Sequence, residues 1–142
     1  MTLSRVLAEK AQRRERMTIQ PKENLSGTKA IITIQNYLGG FYYFTVDEVK
    51  VKGNNVFLIE GKHSKTNFLP SLEDIKDGLL KMILFTNFED VKADRKNYNP
   101  IAVLKLTVEN HFNENQLSSS QREILKLLRK EAKVNDFQIV FK

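Results

Sequence analysis

The sequence predicts an α/β domain: a mixed sheet, made of an antiparallel three-strand meander plus later strands, flanked by helices in the order α-β-β-β-α-β-α-β. Three observations carry that expectation. Residues 30–35, 41–52 and 56–62 are rich in β-branched and aromatic side chains, and Gly39-Gly40 and Gly53-Asn54-Asn55 separate them. Two later stretches repeat apolar residues at helical spacing behind a serine that can cap them. Each is followed by an apolar run, IAVLKLTV at 101–108 and FQIVFK at 137–142. A strand that follows a helix can return parallel to a meander strand.

Taken in order, residues 3–17 put Leu3, Val6, Leu7 and Ala11 on one helical face, with Arg13, Arg14 and Arg16 clustered at the end. So short a stripe needs packing or a partner to hold it. TIQPKENLSGT (18–28) is expected to be a loop from its Pro, Asn, Ser and Gly content. The meander follows. The next helix has Ser71 ahead of it and Asp74 three residues on, a capping-box spacing. Leu72, Ile75, Leu79, Met82 and Ile83 form its apolar side, and Glu73, Lys76, Asp77 and Lys81 its polar side. Gly78 inside it costs about 1 kcal/mol relative to Ala. Residues 87–100 and 109–119 are expected to be polar loops, and IAVLKLTV between them a strand buried on both faces. Ser120 with Glu123 is expected to cap the last helix. Ile124, Leu125, Leu128 and Ala132 face inward there, and Lys126, Arg129, Lys130 and Lys133 form a basic side.

The chain has 142 residues, which fits one domain (1–142), with an N-terminal helix and loop over 1–25 and a core over 29–142. It has no cysteine, which excludes disulfides, thiolate metal sites and a thiol nucleophile and suits the cytoplasm. No apolar run approaches the roughly 20 residues that cross a bilayer, and the N-terminus lacks a secretory h-region. No membrane association is therefore expected. The net charge of +6 favours an anionic partner, with nucleic acid the leading class. His63 and His111 lack zinc-type spacing, and no P-loop or dinucleotide glycine pattern is present.

The charges of the hairpin 46–64, VDEVKVKGNNVFLIEGKHS, are out of place for a purely structural ribbon. Phe44 and Val46 share one strand phase, and Val49 and Val51 the other, so the phase slips at Asp47-Glu48 and predicts a bulge. On the partner strand Glu60 and Lys62 project from the face that carries Val56 and Leu58. Asp47 and Glu60 could then meet across neighbouring strands. Two carboxylates that close repel each other unless a cation or a proton intervenes, and they suit Mg²⁺. Lys62 beside them can stabilise negative charge on a phosphate.

Val46-Asp47, the turn, Glu60-Gly61-Lys62 and the helix near Leu72 together resemble the PD-(D/E)xK nuclease superfamily over roughly residues 40–108. Val46 stands where that pattern has proline. The resemblance implies a restriction endonuclease-like fold and a metal-dependent endodeoxyribonuclease that hydrolyses phosphodiester bonds. It also implies a Mg²⁺ cofactor, for which Mn²⁺ can substitute. Asp47 and Glu60, with the carbonyl of Gly61, would be the metal ligands and Lys62 the catalytic lysine. Glu9 or Glu15 on the leading helix would be an accessory acid, Glu48 a competitor of Asp47, and His63 an aid to proton transfer. DNA is the expected partner, with Arg13, Arg14, Arg16, Lys126, Arg129 and Lys130 on its phosphates. A homodimer is expected, giving one site for each strand. The chain is short for an enzyme that reads its own site, so the catalytic part of a larger protein is an equal expectation. Two alternatives stand beside this one: a structure-selective nuclease resembling Holliday-junction resolvases, and a non-catalytic nucleic-acid-binding module.

Overall fold

Among the described residues, turn residues and β-branched runs set out eight strands: β1 (Arg16–Pro21), β2 (Thr28–Gln35), β3 (Phe41–Lys52), β4 (Asn55–Ser64), β5 (Glu89–Ala93), β6 (Lys96–Asn97), β7 (Asn99–Val108) and β8 (Gln138–Phe141). The helices among the described residues are α1 (Leu72–Thr86) and α2 (Ser119–Asn135), with a single 3-10 turn at Glu114–Gln116 between β7 and α2. The structure is a computed structural model and describes residues 16–21, 28–35, 41–93 and 96–142. The strands form one mixed sheet in the order β6-β5-β1-β2-β3-β4-β7-β8. Its half next to the helices is β3-β4-β7-β8, where β3 and β4 run antiparallel and β4, β7 and β8 run parallel. The expected α/β class and mixed sheet are both present.

The β3–β4 turn works because Gly53 takes a positive φ of 61°, which costs a glycine nothing. Beyond it, strand alternation sends Val56 and Leu58 to one face of β4, and the parallel register sets Ala102, Leu104 and Leu106 of β7 beside them. On that face they share a single buried core with Ile75, Met82 and Phe85 of α1 and Leu125 and Leu128 of α2. Both helices therefore cover the same face of the sheet. The strands β4, β7 and β8 that they connect lie side by side and parallel in the sheet. Ser71 caps α1 as expected, its Oγ accepting from the Asp74 amide at 3.1 Å.

Three expectations fail. Residues 16–21 are strand β1 rather than the end of a helix and the start of a loop. A complete antiparallel ladder with β2, from Arg16↔Gln35 to Pro21↔Ala30, supplies partners that local composition does not reveal. The rest of the expected leading helix lies outside the described residues. The expected polar loop 87–100 contains β5, which pairs with β1 in parallel, and the two-residue β6. Strands this short carry no alternation long enough to detect. The last helix is capped two residues earlier than expected, by Ser118 and Gln121 rather than by Ser120 and Glu123. Ser118 Oγ accepts from the Gln121 amide at 3.2 Å, and Gln121 Oε1 accepts from the Ser118 amide at 2.9 Å. Glutamine serves at the third helical position as well as glutamate does. Among the described residues no helix is long and apolar enough to cross a membrane.

The cap assignment has a direct test. Ser118→Ala should lower unfolding stability by about 1 kcal/mol. Ser120→Ala should stay within about 0.5 kcal/mol of the parent. Urea denaturation of the two variants checks the order, and equal losses would contradict it.

Candidate functional site

β3 lies between β2 and β4: residues 41–46 and Val49 pair with β2, and residues 48–52 pair with β4. Ala30 faces Val46 but Thr28 faces Val49, so β3 holds one residue more than β2. This is the bulge that the phase slip at Asp47-Glu48 predicts. It exists because Val46 and Val49 both reach the core, each with no exposed surface, although strict alternation would send one of them outward. β4 runs on past the fork, paired with β7 as far as Ser64.

At the fork the amide of Gly61 donates to Asp47 Oδ2 at 3.0 Å. On the helix-covered face of β4 lies Glu60, only 7% exposed. Burial holds its carboxyl above the usual carboxylate range, the nearby charge of Asp47 adds to the effect, and Lys81 and Lys62 partly oppose it. Lys62 extends under α1 with its side chain 16% exposed. Its Nζ donates to Asp77 Oδ2 at 2.6 Å and lies 3.4 Å from Glu60 Oε1. The Asp77 hydrogen bond is the main reason that the lysine titrates above its ordinary value, so it is a cation at neutral pH. Gly78 makes the space: a Cβ there would sit 2.6 Å from Leu104 Cδ1 and 3.6 Å from Lys62 Cγ. The helix-breaking residue is thus what lets α1 lie close over Lys62 and Leu104.

The structure brings Asp47, Glu60, Gly61 and Lys62 together and sends other expected site residues elsewhere. Glu48 pairs in register with Ile59 and is held by Lys50 at 3.0 Å and Lys105 at 3.3 Å. Those partners, Lys50 first, hold its carboxyl below the usual range. It does not compete with Asp47 for Gly61. Strand alternation turns His63 to the face opposite Lys62, where Nδ1 meets Thr107 Oγ1 at 2.7 Å and Nε2 lies 3.5 Å from Glu109 Oε2. That placement removes it from proton transfer at Lys62. Lys126 and Lys130 are exposed on α2. Arg129 is committed within the protein, forked onto Glu114 at 2.8 and 3.1 Å and lying 5.7 Å above the Phe141 ring. Arg16 opens β1, and Glu9, Glu15, Arg13 and Arg14 lie outside the described residues. The residue that sequence reasoning missed is Asp77, placed on the polar side of its helix without a role. Gly78 next to it, a costly residue in a helix interior, was the available signal.

Among the described residues no group of three His, Cys, Asp or Glu side chains could hold a metal ion. The fork brings two carboxylates together, Asp47 on the Gly61 amide and Glu60 near enough to feel its charge. That donor set fits Mg²⁺, which keeps several waters and takes one or two carboxylates together with substrate phosphate. Comparisons with known protein families, with curated proteins and with solved structures find no match.

The raised carboxyl of Glu60 fixes the sign of a pH effect. As pH rises through the ordinary carboxylate range, the unfolded chain loses this proton before the folded one does, so ionisation of Glu60 lowers stability. With EDTA present, Glu60→Gln should gain stability relative to the parent as pH rises from about 4 to 7. Thermal melts across that range check it, and a constant difference would contradict the burial of this charge.

Proposed function

We propose that the protein is a Mg²⁺-dependent DNA endonuclease built on the PD-(D/E)xK pattern. The observation that carries the reading is the convergence of a buried Glu60, the Gly61-bound Asp47 and the part-buried, cationic Lys62 at one fork in the sheet. Charges of this kind cost stability, and their concentration at one place is the mark of a site used for chemistry.

Asp47, Glu60 and the Gly61 carbonyl would hold the ion. When bound, Mg²⁺ supplies Lewis acidity toward the phosphate and lowers the pKa of a coordinated water. Lys62 carries a fixed positive charge next to the two carboxylates, suited to stabilising the extra negative charge that builds on a phosphate under attack. The carboxylates exclude nucleic acid from the fork until a cation balances them, which ties phosphate binding to metal binding. The net charge of +6 and the exposed Lys126 and Lys130 supply attraction for the duplex without reading its sequence. Paired cuts on both strands would follow from a homodimer carrying one such site in each protomer.

Incubation with supercoiled plasmid tests this reading. Nicking or linearisation should require Mg²⁺ or Mn²⁺ and stop with EDTA. Lys62→Ala and Glu60→Gln should each slow it by roughly 100-fold or more, with DNA affinity retained. Affinity that falls steeply with salt, without cleavage at any metal concentration, would replace the nuclease with a nucleic-acid-binding module.

A further inference from the structure

We propose that Asp77 is a positioning residue for Lys62, which makes the helix α1 part of the active site. The inference rests on the nuclease reading and extends it to a residue outside the motif. Its geometry differs from that of an ordinary surface ion pair. Arg129–Glu114 and Lys76–Glu73 are exposed at both ends. In Lys62–Asp77 the lysine is buried to 16% exposure while the aspartate is 63% exposed. The lysine stem is thus enclosed, and only its tip is steered.

An unrestrained lysine tip samples many rotamers, and holding it has an entropic cost that must be met before the reaction. Asp77 meets it from a rigid element. α1 is anchored by its Ser71 cap and by Ile75, Met82 and Phe85 in the core. The adjacent Gly78 lets the helix come within reach of Lys62, whose Cγ and Cε would lie 3.6 and 3.7 Å from a Cβ at that position. Nζ is then set between Asp77 Oδ2 at 2.6 Å and Glu60 Oε1 at 3.4 Å. A carboxylate on each side leaves the tip beside Glu60.

Asp77→Asn and Asp77→Glu in the full chain test the proposal. The exposure of Asp77 makes both variants compatible with folding. Asp77→Asn should lower kcat for plasmid cleavage on the order of tenfold, the lower end of what losing a supporting partner costs a metal-dependent site. KM for DNA should stay close to the parent value, and Asp77→Glu should recover part of the loss. A second readout needs no activity. In a short pulse of acetic anhydride followed by peptide mass spectrometry, Lys62 should label severalfold faster in Asp77→Asn than in the parent. Unchanged or faster cleavage by Asp77→Asn would overturn the proposal, as would unchanged Lys62 labelling. A parent chain that cuts no DNA would instead remove the nuclease reading. The labelling comparison would still decide whether Asp77 holds Lys62.

Discussion

The amide of Gly61 bonds to a side chain, Oδ2 of Asp47, at the point where β3 parts from β4. The register of β3 with β4 ends at Glu48↔Ile59, short of Gly61, and the Asp47 side chain supplies an acceptor there. The cause lies in β3 itself. Val46 and Val49 both belong to the core, and the strand accommodates both only by bulging at Asp47-Glu48. Asp47 fills the gap this opens. One hydrogen bond thereby closes a defect in the sheet and fixes a carboxylate beside Glu60.

From that bond the other elements follow. β4 is carried past the fork by β7, so Glu60 and Lys62 remain on a regular strand and face the helices. The face they share is a hydrocarbon core behind them and a concentration of charge at the fork. Burial raises the carboxyl of Glu60 despite Lys81 and Lys62 nearby, whereas the hydrogen bond to Asp77 raises Lys62 and favours its charged form. The site is therefore asymmetric. Lys62 has a carboxylate partner in direct contact, whereas the charge of Glu60 is opposed by its burial and by Asp47.

Much of this was legible in residue order. The bulge followed from the opposed phases of Phe44–Val46 and Val49–Val51, and the Ser71 cap from its spacing to Asp74. Both are local signals, since each depends on residues within one or two turns or strand steps. What escaped was non-local. β1 is a strand because β2 lies beside it, and β5 because β1 does. Ser118 rather than Ser120 caps the last helix because Gln121 reaches back to the Ser118 amide. Arg129 looked like one more cation on a basic face until the loop brought Glu114 against it. Asp77 became visible only when folding set it over Lys62, fifteen residues away in sequence.

The central claim is that the fork is a cation site built from Asp47 and Glu60. Paramagnetic broadening by Mn²⁺ in amide NMR spectra tests it most directly. The account predicts that substoichiometric Mn²⁺ broadens the signals of Asp47, Glu60, Gly61 and Lys62 first, and that Asp47→Asn or Glu60→Gln removes the effect. Broadening centred elsewhere, or unchanged at the fork in both variants, would contradict it.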